Sequence, residues 1–361
     1  MNLILKHDLA QIHQALTVAE KKKLRDSTML ITGCAGFIGS ILMQYLAHYR
    51  EDLGLTRVIG LDVFRKGQPA WVKALAEENG VVIQQFDVVR DSLSDVPGAE
   101  QVTHVMHLAS IASPVFYRQF PLETMDANVW GLRQLLDFYR EKPLQGFAYF
   151  STSEIYGDPP AEAIPTPETY RGHVACIGPR ACYDESKRFG ETLCYYYHQQ
   201  YRLPVIIIRP FNNYGPGLSL EDRRITADLA AAVHQNREII LYSDGSPTRT
   251  YCYIADAVTG YLKALLYDDF QVFNIGADHP EISVAQLAEL YRKIGEALFG
   301  YQGQVRYQRA ADPQYLSDNP RRRCPDITKA GKMLGFEPAT SLEAGIRSHL
   351  TYHQYRQEAR I

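Results

Sequence analysis

Residues 31–39 read Ile31-Thr32-Gly33-Cys34-Ala35-Gly36-Phe37-Ile38-Gly39, and this stretch decides the fold. It follows the apolar run Met29–Thr32 and opens a helical pattern from Phe37 to Tyr49, so its glycines stand at a strand-to-helix turn. Gly33 permits the tight turn, Gly36 lets backbone approach a pyrophosphate at the positive helix N-terminus, and Gly39 lets helix press on strand. Phe37 and Ile38 complete the cofactor-binding loop. Asp62 ends the next strand 23 residues after Gly39, where a carboxylate accepts from both ribose hydroxyls and repels a 2′-phosphate. The loop predicts NAD, with NADP kept as the alternative by Arg65 and Lys66 close by. By position, Asp87 at the end of the third strand meets the adenine amino group, and Leu108, Ala109 and Ser110 at the end of the fourth flank the pyrophosphate.

Outward from this loop, β-branched runs alternate with longer helical segments. Strands are predicted at Met29–Thr32, Val58–Asp62, Val81–Phe86, His104–Leu108, Ala148–Ser151, Val205–Arg209 and Val272–Ile275. Helices between them include Phe37–Tyr49, Leu122–Tyr139 and Tyr183–Tyr201. The alternation predicts an α/β fold: a Rossmann-type doubly wound parallel sheet with helices on both faces. The segment 213–250, rich in Gly, Pro and charge, and the tail from Glu281 predict a smaller, discontinuous substrate domain. The expected division is an N-terminal helical extension at 1–25, an NAD-binding domain at 26–211 plus 250–278, and a nucleotide-sugar domain at 212–249 plus 279–361. The extension reads as one amphipathic helix or two short ones, followed by a basic connector at Lys21, Lys22 and Lys23. These lysines are expected to be a solvated run on a helical extension, with a partner-docking arm as the alternative.

Composition excludes several classes. The 361 residues are enough for roughly two domains at about 150 residues each. Lys plus Arg number 38 against 41 Asp plus Glu, a formal charge of -3, which argues against a nucleic-acid partner. No apolar run approaches the roughly 18 residues that span a bilayer, and Lys6 and Asp8 interrupt any signal-peptide core, so no membrane association is expected. Six cysteines are scattered with no C-x-x-C pair, which suits a reducing, cytoplasmic setting. His104 and His107, three apart on a strand, point to opposite faces, and no metal site is expected.

The chemistry is carried by Tyr183 and Lys187, four apart and therefore about a turn apart on one helix face. A phenol titrates near 10, and making half of it phenolate at pH 7 requires about 4 kcal/mol. An ammonium about 4 Å away at an effective dielectric near 20 supplies about that much; Tyr183 and Lys187 are both expected to contact the cofactor as well, the lysine at the nicotinamide ribose. Ser151-Thr152-Ser153-Glu154 ends a strand at its carboxyl end, the side where open α/β sheets bind ligands, and offers hydroxyls and a carboxylate there.

These residues resemble the extended short-chain dehydrogenase/reductase family of nucleotide-sugar enzymes, and within it the UDP-glucuronate decarboxylases. The resemblance is carried by Gly172-His173-Val174, by Ile177-Gly178-Pro179-Arg180-Ala181-Cys182-Tyr183-Asp184-Glu185-Ser186-Lys187-Arg188 and by Ser151 through Pro159, and it runs from about Thr28 to about Leu350. It implies a redox-neutral decarboxylation of a nucleotide-linked hexuronic acid, UDP-glucuronate to UDP-xylose, through a 4-keto intermediate. Tyr183 would take the 4-hydroxyl proton, Thr152 would bond the 4-oxygen, and Ser153 and Glu154 would shape decarboxylation and reprotonation. Arg249 resembles an arginine needed by uronate decarboxylases, with a diphosphate clamp as its alternative role. Tyr117, Arg180, Asn212, Arg224 and Arg323 are expected to line the substrate site, a guanidinium fork being matched to phosphate oxygens. Arg321 and Arg322 are expected to be solvated.

A homodimer is implied through the tyrosine-bearing helix, apolar and aromatic at Leu193, Tyr196 and Tyr197. The loop Ser110–Tyr117 departs from the family pattern at Ile111, Val115 and Phe116, which bears on the sugar more than on the reaction. The alternatives are a nucleotide-sugar 4-epimerase or 4,6-dehydratase, the latter disfavoured because Ser153 stands where dehydratases use an aspartate. A non-catalytic NAD-sensing protein is the alternative from another class.

Overall fold

Seven apolar runs assemble into one parallel sheet in the computed structural model, which describes residues 2–65, 67–311 and 317–358, with side chains to 355. Lys66, one of the two residues that kept NADP open, lies outside the described residues, as do 312–316 and 359–361 of the second-domain range. The strands are β1 (Thr28–Thr32), β2 (Arg57–Asp62), β3 (Val81–Gln85), β4 (His104–His107), β5 (Gly146–Phe150), β6 (Val205–Pro210) and β7 (Gln271–Ile275). Their order is β7-β6-β5-β4-β1-β2-β3, parallel at every pairing, which is the expected doubly wound α/β sheet. From β1 the chain winds one way through β2 and β3 and then returns to β4 on the other side. The crevice at this reversal, outside the carboxyl ends of β1 and β4, is where such sheets bind ligands.

Alternation along each strand builds two cores. Met29, Ile31, Met106, Ala148, Ile206 and Ile208 face one way, while Leu30, Val105, Phe147, Tyr149, Val205 and Ile207 face the other. The helix expected at 122–139 is three consecutive pieces, Pro121–Asp126, a π-turn at Ala127–Gly131 and Leu132–Tyr139. The tyrosine-bearing helix runs Ala181–Tyr201.

Beyond the main sheet, Thr248–Arg249 pairs antiparallel with Ile282–Ser283 and parallel with Arg322–Arg323. That register sets Arg323 opposite Arg249. Cys252–Tyr253 pairs with Asn213–Tyr214.

The N-terminal extension forms two helices, Leu3–Ala15 and Val18–Lys23. The second is fixed by a capping box between Thr17 and Glu20, so Lys21–Lys23 are its last turn and not a connector. Leu5, Leu9, Ile12 and Leu16 are buried against the helices Phe37–His48, Ile254–Leu265 and Leu342–Glu358. Both Asp8 oxygens accept from the Tyr253 hydroxyl, at 2.9 and 2.8 Å, and Lys23 Nζ donates to the Leu266 carbonyl at 2.7 Å. The amphipathic extension therefore docks its apolar stripe on its own chain, while Lys22 and Lys23 of the basic run are exposed. Leu9 has no exposed surface. Leu9→Ala is expected to lower unfolding free energy by about 2–5 kcal/mol, read as a fall in the urea midpoint. A midpoint equal to that of the parent protein would show that the helix is not packed.

Candidate active site

The glycine loop forms where β1 meets the helix Phe37–His48. Gly33 has φ +70°, and a Cβ there would lie 2.8 Å from the Ala109 nitrogen. Leu108 and Ala109 thus press against the loop, with Leu108 N donating to the Thr32 carbonyl at 3.2 Å. Gly36 is the N-cap of the helix. Asp62 braces the same loop, accepting from Ala35 N at 2.9 Å and from Phe64 N at 2.8 Å, while burial raises its pKa. Asp87 Oδ1 accepts from Val89 N within its own turn. The Ser110 hydroxyl is buried with no hydrogen-bond partner. A side-chain-free cradle at a helix N-terminus, a carboxylate at the end of β2 and an orphaned hydroxyl past β4 are a donor and acceptor set that fits a dinucleotide. A Cβ at Gly39 would come within 2.2 Å of the Gly33 carbonyl oxygen, so Gly39→Ala must distort the cradle. We expect NAD affinity to fall at least about tenfold, measured by calorimetry.

Tyr183 and Lys187 lie one turn apart on Ala181–Tyr201, and both are buried. Lys187 Nζ donates to the Phe150 carbonyl at 2.7 Å and sits 6.0 Å from the centre of the Tyr183 ring. One donor of the ammonium is thus committed to a strand-end carbonyl, which fixes Lys187 one helical turn from the phenol. Burial pushes the Tyr183 phenol up to about 12, Glu154 and Asp184 add to the rise, and a hydrogen bond with Thr152 and the charge of Arg224 oppose it. Burial also pulls Lys187 down to about 7. Tyr117 stacks flat on Tyr183, with ring centroids 5.0 Å apart and planes 7° apart, and its own buried hydroxyl has no partner.

The end of β5 delivers the carboxylate. Thr152 Oγ1 accepts from Glu154 N at 3.2 Å and caps the turn Ser153–Tyr156, so Thr152, Ser153 and Glu154 are set by one local motif. Glu154 Oε2 accepts from Nη2 of both Arg180 and Arg323, each at 2.5 Å. Burial works against the charged form of Glu154, but Arg180, Arg323 and Arg249 prevail and hold the carboxyl down at about 2. Asp184 is buried beside Arg180 and pushed up to about 8, first by burial and then by Glu154.

Arg249 is buried and spends its guanidinium on the carbonyls of Thr248, Pro320 and Arg321, so it reaches Glu154 by charge and not by a bond. Of the arginine run only Arg323 enters the site, because Arg321 meets Asp158 and Arg322 meets Glu281. Arg224 clasps Asp222 and lies 5.6 Å from the Phe37 ring, between the glycine-loop helix and Tyr183. Asn212 adopts φ +37°, a conformation uncommon outside glycine that tends to mark functional positions, and donates to the Thr250 carbonyl at 2.9 Å. Asp184, Glu191 and Arg209 were not singled out from sequence. For Glu191 the available signal was its place one turn beyond Lys187. Among the described residues, no group of three or more His, Cys, Asp or Glu is arranged to hold a metal ion.

A glycine loop at the reversal of a parallel sheet, with a tyrosine–lysine helix beside the end of β5, defines a dinucleotide-dependent enzyme. The chain belongs to the NAD dependent epimerase/dehydratase family, whose profile matches residues 29–276, and NAD is its cofactor. It is 33% identical over 318 residues to UDP-glucuronic acid decarboxylase 5 of Arabidopsis thaliana, covering 88% of this chain and 86% of the relative. It is 34% identical over 341 residues to UDP-glucuronic acid decarboxylase 1 of Xenopus tropicalis, covering 94% and 74%. Its fold is similar to that of a crystal structure of UDP-glucuronic acid 4-epimerase from Bacillus cereus in complex with UDP-glucuronic acid and NAD. The TM-score is 0.76 at 25% identity, covering 91% of this chain and 99% of that one. No helix among the described residues is long and apolar enough to cross a membrane.

Proposed function

We propose that this chain decarboxylates a nucleotide-linked hexuronic acid, UDP-glucuronate, to UDP-xylose in a redox-neutral cycle. The observation that carries the reading is Glu154, held at the end of β5 by Arg180 and Arg323 next to Tyr183 and Thr152. Three arginines to one carboxylate leave surplus positive charge, which suits an anionic sugar and its diphosphate.

Gly33, Gly36, Gly39, Asp62 and Ser110 would hold the dinucleotide, with Lys187 at the nicotinamide ribose. Bound NAD would supply the reversible acceptor for the C4 hydride. Tyr183 takes the proton of the sugar 4-hydroxyl in its phenolate form, which the Thr152 hydrogen bond and the charge of Arg224 favour against burial. The ammonium of Lys187, one turn away, acts in the same direction. The ketone so formed is β to the carboxylate, so carbon dioxide leaves into a delocalised enolate, and oxidation must come first. With its carboxyl held at about 2, Glu154 is anionic at neutral pH and acts by charge and by orienting Arg180 and Arg323. Protonation at C5 would give the 4-keto pentose, which becomes UDP-xylose only when C4 regains its hydride and its oxygen takes back the proton held by Tyr183.

Two rival reactions share the first step. A 4,6-dehydratase needs an acid to expel the 6-hydroxyl, and Ser153 does not provide one at neutral pH. A 4-epimerase on the same acid is supported by the likeness to the Bacillus cereus structure, but it leaves the Glu154 cluster without a task. The substrate lobe at 212–249 plus 279–361 belongs to the same proposal, as does a dimer through the catalytic helix. For that dimer the exposed residues are Phe189, Tyr195 and Tyr196, whereas Tyr197 turns inward to Asp137. Incubation with UDP-glucuronate and NAD tests the function by the mass of the nucleotide product. A UDP-pentose is expected. Turnover of non-acidic nucleotide sugars with the acid untouched would instead assign an epimerase or dehydratase.

A further inference from the structure

We propose that Glu191 is a positioning residue of the catalytic constellation, keeping Lys187 cationic and locking the strand end that carries Thr152 onto the catalytic helix. The inference rests on the acid–base reading of Tyr183 and Lys187 given above. Glu191 follows Lys187 by four residues on Ala181–Tyr201 and shares its face. Its carboxylate is gripped on both oxygens: Arg209 Nε donates to Oε1 at 2.9 Å, Arg209 Nη2 to Oε2 at 2.6 Å, and Ser151 Oγ to Oε1 at 2.5 Å. Ser151 immediately precedes Thr152. Arg209 Nη1 continues to the Tyr156 hydroxyl at 2.7 Å and to the Glu168 carbonyl at 2.9 Å, and that hydroxyl donates to Asn274 Oδ1 at 2.7 Å. Tyr156 closes the turn that bears Ser153 and Glu154. One ion pair therefore joins the catalytic helix, the end of β5, the Glu154 turn, β6 and β7. A fully bonded network of this kind is rigid.

The same carboxylate acts on charge. Burial lowers Lys187 to about 7, and Cys194 and Glu191 oppose that fall. Cys194 comes from the same helix, His107 from β4, Tyr149 from β5, and Tyr183 from one turn back. Burial pushes Cys194 and Tyr149 well up and His107 down to about 3, so these are neutral at neutral pH. Of these described neighbours, the Glu191 carboxylate is the one that opposes the desolvation of the ammonium by its charge, and Arg209 sets how much of that charge Lys187 feels.

The test uses the NAD-loaded protein with UDP-glucuronate as probe. Glu191→Gln removes the charge and should move the alkaline limb of kcat/KM down by about one pH unit, costing about tenfold at pH 8. Arg209→Gln leaves Glu191 uncompensated and should move the limb the other way, so either variant suffices if the other does not fold. Ser151→Ala keeps the charge and loosens the tether, so kcat should fall with the limb in place. Lysine-labelled protein followed by NMR reads the Lys187 titration without any substrate. If Lys187 and the limb stay unmoved in folded Glu191→Gln or Arg209→Gln, the inference is overturned. If Lys187 shifts as stated while the parent protein leaves UDP-glucuronate untouched, the inference stands and the proposed function fails.

Discussion

Tyr183→Phe is expected to lower turnover of UDP-glucuronate by about a thousandfold, or about 4 kcal/mol in the barrier. The substitution removes one oxygen and keeps the ring, so the flat stack on Tyr117 persists. The lost hydrogen bond with Thr152 should cost about 1 kcal/mol of stability, too little to unfold the chain. NAD affinity should be unchanged, since the glycine loop and Asp62 lie on other elements. The missing function is that of the base: without it no proton leaves the 4-hydroxyl, no ketone forms, and the carboxylate has nowhere to send its electrons. Single-turnover absorbance of reduced nicotinamide checks this, because the signal should vanish in the variant. Equal amplitudes and rates in variant and parent would remove Tyr183 from the mechanism.

Glu154→Gln should affect both stability and chemistry. Arg180 and Arg323 are buried, and the variant leaves two guanidiniums without their carboxylate, a break that costs about 3 kcal/mol or more in buried pairs. The dependence on pH has a definite sign. The Glu154 carboxyl is depressed from 4.5 to about 2, so its contribution is fully present above about 4.5 and is lost as pH falls toward about 2. Urea midpoints of parent and variant should differ most at neutral pH and converge in acid. In the reaction, Tyr183 and Thr152 still serve the oxidation of C4 by NAD as base and hydrogen-bond partner, whereas the later steps lose the charge that orients both arginines. We expect turnover to drop about a hundredfold with reduced nicotinamide accumulating during the cycle. A variant that slows with no accumulation would place Glu154 in the oxidation step instead.

What could be read from the sequence was what is local. β1 to β7 were legible because strands buried on both faces read as short continuous apolar runs, and the glycine loop because its three glycines lie within seven residues. Tyr183 and Lys187 were legible as one helical turn, but their relation was not: the Phe150 carbonyl that captures Lys187 lies 37 residues away. The Glu154 cluster joins groups 26 and 169 residues apart, a distance no periodicity reaches. Tyr196 and Tyr197 looked equivalent, yet neighbours on a helix differ in direction by about 100°, and only Tyr196 faces out. The N-terminal stripe of Leu5, Leu9 and Ile12 announced an amphipathic helix, while its seat between three helices from distant parts of the chain was invisible. Arg249 shows the remaining gap, because its partners are backbone carbonyls that carry no residue identity.

Loss of the sugar's acid group is what separates this proposed reaction from epimerisation. UDP-glucuronate labelled at the carboxyl carbon, incubated with this protein and NAD, tests it in one reaction. Labelled carbon dioxide and UDP-xylose are expected in equal amounts, with no net gain of reduced nicotinamide. Label retained in a nucleotide hexuronic acid of inverted C4 configuration would contradict it.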